Sequence, residues 1–254
     1  GSSGTKYNFS LGYVDQQGVM KGFSYKRYNA RINLTSQINK KIKFGTNISF
    51  KNGIRKSTRQ GSEDTFVAIM AQPPTYAPQL PDGSGRWTFK AYDLEYNNKN
   101  PVAIVGNNVN RNTKDYSIAT QGWLEVQLLK SLTWYTKGAM NLDISTYDDF
   151  RPQIPLYNYQ TLAYMTLLDV GGQGLQMRDD QNVYSNLYTY LNFKKTFNAI
   201  HNVNLQAGYS MEKNVSTYLQ GYRQYFASDN YRQLDAGSPA VQSANGSKYE
   251  YALM

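Results

Sequence analysis

Apolar and polar residues alternate along residues 25–51, and this alternation limits the possible folds more than any other feature. The apolar positions of the first arm are Tyr28, Ala30, Ile32 and Leu34. After Asn39-Lys40 the pattern resumes with Ile42, Phe44, Ile48 and Phe50. A period of two residues predicts extended strands with one apolar and one polar face, and two such arms joined by a short turn predict a β-hairpin. The apolar face could meet either a protein core or lipid.

The composition excludes several kinds of site. The chain of 254 residues contains no Cys, which excludes disulfides, Cys-based metal sites and thiol catalysis. No apolar run approaches the roughly 18 residues of a membrane helix, whereas a strand-built membrane protein gives a weaker signal and is not excluded. The net charge of +9 is compatible with an anionic partner. Because the basic residues are scattered over turns and loops, we interpret them as solvated side chains.

Eight segments show the alternation, and the connections between them sort by length. Turns of a few residues join the second segment to the third, the fourth to the fifth and the sixth to the seventh. We expect the long connections at about residues 15–25, 52–115, 148–180 and 215–247. In an up-and-down meander alternate connections lie at the same end. The short turns therefore lie at one end and the long loops at the other, as in outer-membrane barrels.

Strand length and aromatic residues also favour a membrane barrel. The alternation in several segments matches the about 9–11 residues of a tilted membrane strand, whereas strands of soluble proteins average about 5–6 residues. Aromatic residues on the apolar face mark both strand ends, as interfacial girdles do: Tyr13, Tyr28 and Phe50 near the long loops, and Tyr7, Trp134 and Phe193 near the short turns. We predict an all-β, antiparallel, up-and-down transmembrane β-barrel with long extracellular loops.

Three runs within residues 6–50 have a recognisable sequence: LGYVDQQG at residues 11–18, RYNARINL at 27–34 and FGTNISF at 44–50. With these runs, residues 6–50 resemble the barrel of SusC/RagA-type TonB-dependent outer-membrane transporters. Gln72-Pro73-Pro74 and Asn100-Pro101-Val102-Ala103 also resemble features of the family. The resemblance implies that residues 1–254 form about eight strands of a larger barrel of about 22 strands, as a partial barrel domain without the plug domain.

The resemblance further implies a function in uptake. The chain would be part of a TonB-dependent importer of oligomeric nutrients, glycans or peptides, in the bacterial outer membrane. Its expected partners are a SusD-like lid lipoprotein, TonB through the missing plug region, outer-membrane lipid and an oligosaccharide or peptide substrate, with no nucleic acid. Two alternatives stay open: a passive porin-like barrel, and a soluble or surface β-protein that binds glycans.

Two groups of residues are candidates for contact with a substrate. Aromatic rings in loops stack on sugars and anchor protein contacts, although they also pack loops together; the candidates are Tyr76, Trp87, Phe89, Tyr92, Tyr157 and Tyr159. Polar residues of the strands would line the lumen, and these are Arg31, Asn33, Asn47, Lys137, Asn141 and Asn186.

The sequence gives no support for catalysis or for a cofactor. The single histidine, His201, is expected in a surface turn. Asp148-Asp149 and Asp179-Asp180 are acidic pairs in long loops, and adjacency supplies neither the separation nor the raised pKa of an acid–base pair. Loop carboxylates can also bind calcium, but no patterned set of ligands supports such a site. We expect no enzyme activity, no metal and no cofactor.

Overall fold

The computed structural model describes residues 4–58, 61–73, 75, 77–89, 100–107, 110–168 and 173–253. In this part of the chain the strands and helices are, in order, β1 (Thr5–Gln17), β2 (Ser24–Asn39), β3 (Ile42–Thr58), α1 (Gly61–Met70), β4 (Trp87–Thr88), α2 (Pro101–Gly106), β5 (Asn110–Leu129), β6 (Leu132–Arg151), β7 (Pro155–Tyr157), β8 (Tyr164–Leu167), β9 (Gly174–Phe197), β10 (His201–Gln224) and β11 (Ser238–Leu253). A single 3₁₀ turn, Leu234–Ala236, precedes β11.

The long strands form one antiparallel meander. The order in the sheet is β1-β2-β3-β5-β6-β9-β10-β11, and each strand pairs with the next long strand along the chain. This sheet is a segment of the predicted up-and-down barrel. The three short strands form a separate sheet in the order β4-β7-β8, which belongs to the long-loop end.

The register of the sheet gives it one apolar and one polar face. On the outer face Phe9 lies opposite Ile32, and Ile32 lies opposite Ile48 on the next strand. On the inner face the corresponding row is Ser10, Arg31 and Ser49. Large outer-face side chains have no protein over them; Leu205, for example, is 63% exposed. An uncovered apolar face of this extent is the arrangement of a barrel wall whose outer solvent is lipid.

The predicted aromatic residues lie at both ends of the outer face. At the long-loop end the ring centroids of Tyr13 and Tyr28 are 4.9 Å apart. At the short-turn end the indole Nε1–H of Trp134 donates a hydrogen bond of 2.8 Å to Thr189 Oγ1. Tyr and Trp combine an apolar ring with a polar tip, and they therefore suit a boundary between lipid and water.

The short turns are closed by local interactions. Asn39 Oδ1 accepts hydrogen bonds from the backbone N–H groups of Lys41 and Ile42, at 2.8 and 3.0 Å, so that β2 reverses into β3. The turn between β9 and β10 has Asn198 and Ala199 at positive φ, the conformation that tight hairpins require. His201 begins β10, and its predicted place within this turn is therefore wrong by one residue.

The strands are longer than the sequence pattern predicts, and the bounds given for the long connections are therefore too wide. The connections expected at 15–25, 52–115, 148–180 and 215–247 lose residues at their ends to β1, β2, β3, β5, β6, β9, β10 and β11. The strands β9 and β10 each have 24 residues and pair without a register shift. The physical reason is that the hydrogen bonds between strands join backbone groups and need no particular side chains. Outside the lipid the strands therefore continue, although apolar and polar residues no longer alternate there.

At the long-loop end the helices α1 and α2 and the short strands β4, β7 and β8 form a small core of their own, and we call these elements the loop unit. Its helices α1 and α2 and its short strands enclose Ala68, Ala103, Ile104, Ile154, Leu156 and Leu168. A second cluster joins Phe150, Leu175 and Phe226 near the loop ends of the long strands. Neither helix of the described residues is long and apolar enough to cross a bilayer.

Candidate functional site

Asn100 joins the separate segments of the loop unit. Its Oδ1 accepts hydrogen bonds from the N–H groups of Val102 and Ala103, at 3.1 and 3.0 Å, and so caps the first turn of α2. Its Nδ2 donates to the carbonyl oxygens of Pro78 and Thr88, at 2.6 and 3.1 Å. The side chain is fully buried, and both ends of its amide have partners. The loop segment that carries the candidate aromatic residues is therefore fixed to α2 through one residue.

Three of the candidate aromatic residues come together in the loop unit. Trp87 and Phe89 are partly buried against its core, and Trp87 lies beside Leu156 in the parallel pair of β4 and β7. The Tyr157 ring has the Arg86 guanidinium 4.6 Å from its centroid and the Tyr164 ring 6.1 Å away.

Tyr159 lies half-buried in the connection between β7 and β8, and Tyr76 and Tyr92 lie outside the described residues. Trp87, Phe89 and Tyr157 thus have packing roles. Their contact with a ligand stays a prediction.

A charged turn supports the segment that leads into β4. Asp82 accepts hydrogen bonds from the Ser84 hydroxyl and from the Arg86 guanidinium, both at 2.6 Å. The Ser84 hydroxyl and the Arg86 charge lower the pKa of the Asp82 carboxyl from 3.8 to about 2. Gly83 and Gly85 both have φ of 73° in this turn, a conformation that glycine adopts without strain. Arg86 therefore links a fixed carboxylate to the ring of Tyr157.

All six residues predicted to line the lumen lie on the inner face. Asn33 of β2 lies opposite Asn47 of β3, and Arg31 lies between Ser10 and Ser49. On the later strands Lys137 lies opposite Tyr188, Asn141 opposite Tyr184, and Asn186 opposite Ala139. The register places these six residues on the face opposite the apolar one. Their role in a transport path stays a prediction.

Sequence reasoning missed a row of aromatic rings on the inner face near the short turns. Trp123 and Tyr135 have ring centroids 6.2 Å apart, Tyr135 and Tyr190 are 5.1 Å apart, and Tyr190 and Tyr188 are 5.3 Å apart. The row crosses β5, β6 and β9. A β-carbon at residue 45 would lie 2.5 Å from Nε1 of Trp123, so that Gly45 leaves space for the indole. The register between strands is the signal that reveals the row, and no single segment contains it.

The acidic pairs are divided between the two faces of their strands. Asp149 accepts a hydrogen bond of 2.9 Å from Arg111, and Asp148 accepts one of 2.9 Å from Asn112. Arg178 and Asp180 form an ion pair on β9. Within the described ranges no group of three or more His, Asp or Glu could hold a metal ion. The expectations about calcium and cofactors stay predictions.

These features define the class of protein. Long antiparallel strands with an apolar outer face, a polar inner face, short turns at one end and large connections at the other form part of a transmembrane β-barrel wall. No protein-family model matches the chain.

Two curated relatives are TonB-dependent receptors of Formosa agariphila. TonB-dependent receptor P39 is 24% identical over 215 residues, which cover 84% of this chain and 19% of the relative. TonB-dependent receptor P3 is 24% identical over 253 residues, which cover 96% of this chain and 24% of the relative. The chain thus spans a quarter or less of the length of these receptors.

Solved structures of the RagAB peptide importer share the fold. Its closed-closed and open-open states each match with a TM-score of 0.71 and 19% identity over 99% of this chain. The match covers 28% and 27% of the respective importer chains. The resemblance to SusC/RagA-type TonB-dependent transporters is confirmed, and the chain has the fold of one segment of such a barrel.

Proposed function

We propose that the chain is part of a TonB-dependent importer of oligomeric nutrients in the bacterial outer membrane. The observation that carries the proposal is the division of the eight-stranded sheet into an apolar outer face and a polar inner face, with a folded loop unit at one end. The outer face suits lipid, the inner face suits a hydrated path, and the loop unit suits recognition above the membrane. The names of the relatives support import rather than catalysis.

A lid protein of the SusD type is the proposed partner at the loop end. Helix α1 buries Thr65 and Ala68 and turns apolar residues outward: Phe66 is 54% exposed and Met70 is 68% exposed. Val67 is exposed beside them. Exposed apolar residues on one side of a helix are typical of protein contact surfaces.

Co-purification tests this partnership. Phe66→Lys should abolish recovery of the lid with the full-length transporter. Ile200→Lys replaces an even more exposed apolar residue at the short-turn end and should leave recovery unchanged. Equal recovery with both variants would contradict the proposed contact.

Uptake by cells tests the function itself. The full-length protein should support growth on an oligomeric glycan or peptide only in a host that has TonB and an intact proton gradient. Glycan and peptide nutrients supplied separately distinguish the two substrate classes. A passive porin-like barrel is the second candidate, because the inner face is polar along its length; it predicts uptake that is unchanged when TonB is deleted. A chain that is monodisperse without detergent would contradict both membrane functions.

A further inference from the structure

The inner face of β1–β3 carries positive charge without any acidic residue. The structure describes every residue of these strands, and their inner face has the cations Lys6, Arg27, Arg31, Lys43, Lys51 and Arg55. The acidic residue of the three strands, Asp15, lies on the outer face and pairs with Lys26 at 3.2 Å. The inner face of the later strands differs, since it includes the acids Asp115, Glu125, Asp143, Asp149, Asp180 and Glu212.

Three of these cations surround a recess in the wall. The recess has a volume of about 480 Å³, and the polar residues that line it include Ser10, Arg27, Asn29, Arg31, Ser49 and Lys51. Lys51 lies directly opposite Asn29, while Arg31 and Arg27 lie two residues away from Asn29 in either direction along β2. Both arginines are therefore diagonal neighbours of Lys51, at about 7–8 Å between strands. We call this set the cationic recess.

The recess has polar groups that lack partners. Arg27 Nε and Asn29 Oδ1 are buried and have no hydrogen-bond partner among the residues that the structure describes. None of Arg27, Arg31 and Lys51 forms an ion pair within the described part of the chain. By contrast Lys43, on the same face of β3, pairs with Glu125 at 3.3 Å. A buried polar group without a partner costs free energy that a ligand can recover.

The arrangement of the charges indicates the chemistry of the ligand. A guanidinium binds a carboxylate through two parallel hydrogen bonds, and Ser10, Ser49 and Asn29 can supply further contacts. A neutral sugar would use the hydroxyl and amide groups but would leave three positive charges without partners. The cations are spread along the wall, which suits several separate single charges better than one compact dianion.

We propose that the cationic recess binds carboxylate groups of the transported oligomer. This inference rests on the proposed import function and specifies one property of the substrate: repeated acidic groups, as in an acidic peptide or a uronic-acid oligomer. The cations would hold the carboxylates at the wall, while Asn29 and the two serines would contact neighbouring polar groups of the same oligomer.

Binding to the full-length protein in detergent tests the proposal. A fluorescent hexaglutamate peptide should bind more tightly than the matching hexaglutamine peptide, and this preference should weaken with salt because the contacts are ionic. Arg31→Gln combined with Lys51→Gln should reduce hexaglutamate affinity about tenfold or more, as expected when charged hydrogen-bond donors are lost. Lys6→Gln removes one charge from the same face outside the recess and is the matched control. A hexauronate probe then shows whether peptide or sugar carboxylates bind better.

Three results would overturn the proposal. The first is equal affinity of the unaltered protein for the glutamate and glutamine peptides, which needs no variant. The second is equal loss with the recess variant and the Lys6→Gln control. The third is a recess variant whose barrel loses heat resistance but whose hexaglutamate affinity is unchanged. This result would mean that the three cations pair with an acidic segment of the protein itself and not with a substrate. TonB-dependent uptake of a neutral nutrient by the recess variant would leave the import function standing in each case.

Discussion

Gly12 leaves the space that the side chain of Asn29 occupies on the inner face. The two residues lie directly opposite each other on β1 and β2. A β-carbon at residue 12 would stand 2.2 Å from Nδ2 of Asn29, far inside a van der Waals contact. The absence of a side chain at residue 12 therefore sets the position of the amide at the centre of the cationic recess.

Gly12→Ala should change the recess without unfolding the sheet. Only the end of the flexible Asn29 side chain has to move, so we expect normal heat resistance of the full-length protein in gel electrophoresis. The displaced amide should weaken hexaglutamate binding by about 1 kcal/mol, the usual contribution of one hydrogen bond. Gly122→Ala is the control, because a β-carbon there would meet only Gly45 O at 4.0 Å. Unchanged affinity in Gly12→Ala would contradict the role of Asn29.

Leu205→Arg tests which solvent the outer face meets. Leu205 is an uncovered outer-face residue of β10 close to the short turn. An arginine at the bilayer midplane of a barrel costs about 2–4 kcal/mol, and less near the interfaces. We expect Leu205→Arg to lower the free energy of unfolding in lipid by up to this amount, since Leu205 lies opposite Phe193 of the short-turn end. Leu142→Arg should cost at least as much, because Leu142 lies farther from its short turn and therefore nearer the midplane.

Gln206→Arg is the matched control for the outer-face variants. Gln206 is the next residue along β10 and has its side chain on the inner face, where its Nε2 donates to Tyr188 Oη at 3.3 Å. An arginine at this position meets water, and its cost should stay below that of Leu205→Arg. Equal tolerance of arginine at residues 205 and 206 would contradict the assignment of the faces.

Asn100→Ala should loosen the loop unit and leave the barrel wall intact. The variant removes the cap of α2, worth about 1 kcal/mol, and the two hydrogen bonds that Asn100 Nδ2 donates to the carbonyl oxygens of Pro78 and Thr88, each worth about 1 kcal/mol. Hydrogen exchange in residues 77–107 should become faster while exchange in β9 and β10 stays unchanged. Asn100→Asp keeps the cap but opposes two carbonyl oxygens with a carboxylate, and it should also loosen the unit.

Asn107→Ala supplies the comparison for Asn100. Asn107 Nδ2 donates one hydrogen bond of 2.8 Å to Ala103 O at the other end of α2. Its loss should cost about 1 kcal/mol or less. If the two alanine variants exchanged at the same rate, Asn100 would not be the residue that joins the segments.

The Asp82 turn should lose its order only in strong acid. The pKa of Asp82 in the folded chain is lowered to about 2 from its ordinary 3.8. Because the folded pKa is the lower one, the stabilisation is complete above about pH 4 and is lost as the pH falls through about 2. The carboxyl carbon shift of Asp82 in a pH titration measures this value. Asp82→Asn should increase trypsin cleavage after Arg86 at neutral pH, and a titration midpoint near 3.8 would contradict the turn geometry.

The barrel wall was predictable because its signal is local. The alternation through Ile32 and Ile48 is present within each strand and needs no knowledge of the partner strand. The outward ends of β9 and β10 were missed because hydrogen-bonded strands in water need no apolar period. Trp123 and Tyr135, and likewise Arg31 and Lys51, become neighbours only through the register, which the sequence pattern does not give.

The start of helix α2 in the loop unit could have been predicted from the sequence. Asn100 followed by Pro101 is a local indication of a helix start, since Asn caps well and proline is favoured in the first helical turn. The contacts of Asn100 with Pro78 and Thr88 could not be predicted in the same way, because they join segments that are distant in sequence. The packing of Trp87 and Phe89 against the core that includes Ala103 and Ile104 of α2 likewise joins distant segments.

The unbroken pairing of β9 and β10 has a consequence for the approach to the membrane. A ladder of 24 residues at about 3.3 Å per residue and a tilt of about 45° rises about 55 Å, whereas the hydrocarbon layer is about 30 Å thick. Some 25 Å of hydrogen-bonded backbone therefore stands above the lipid. Strands β9 and β10 therefore extend the wall of the sheet beyond the depth of the membrane, and the connection at residues 225–237 lies at the upper edge of this extension.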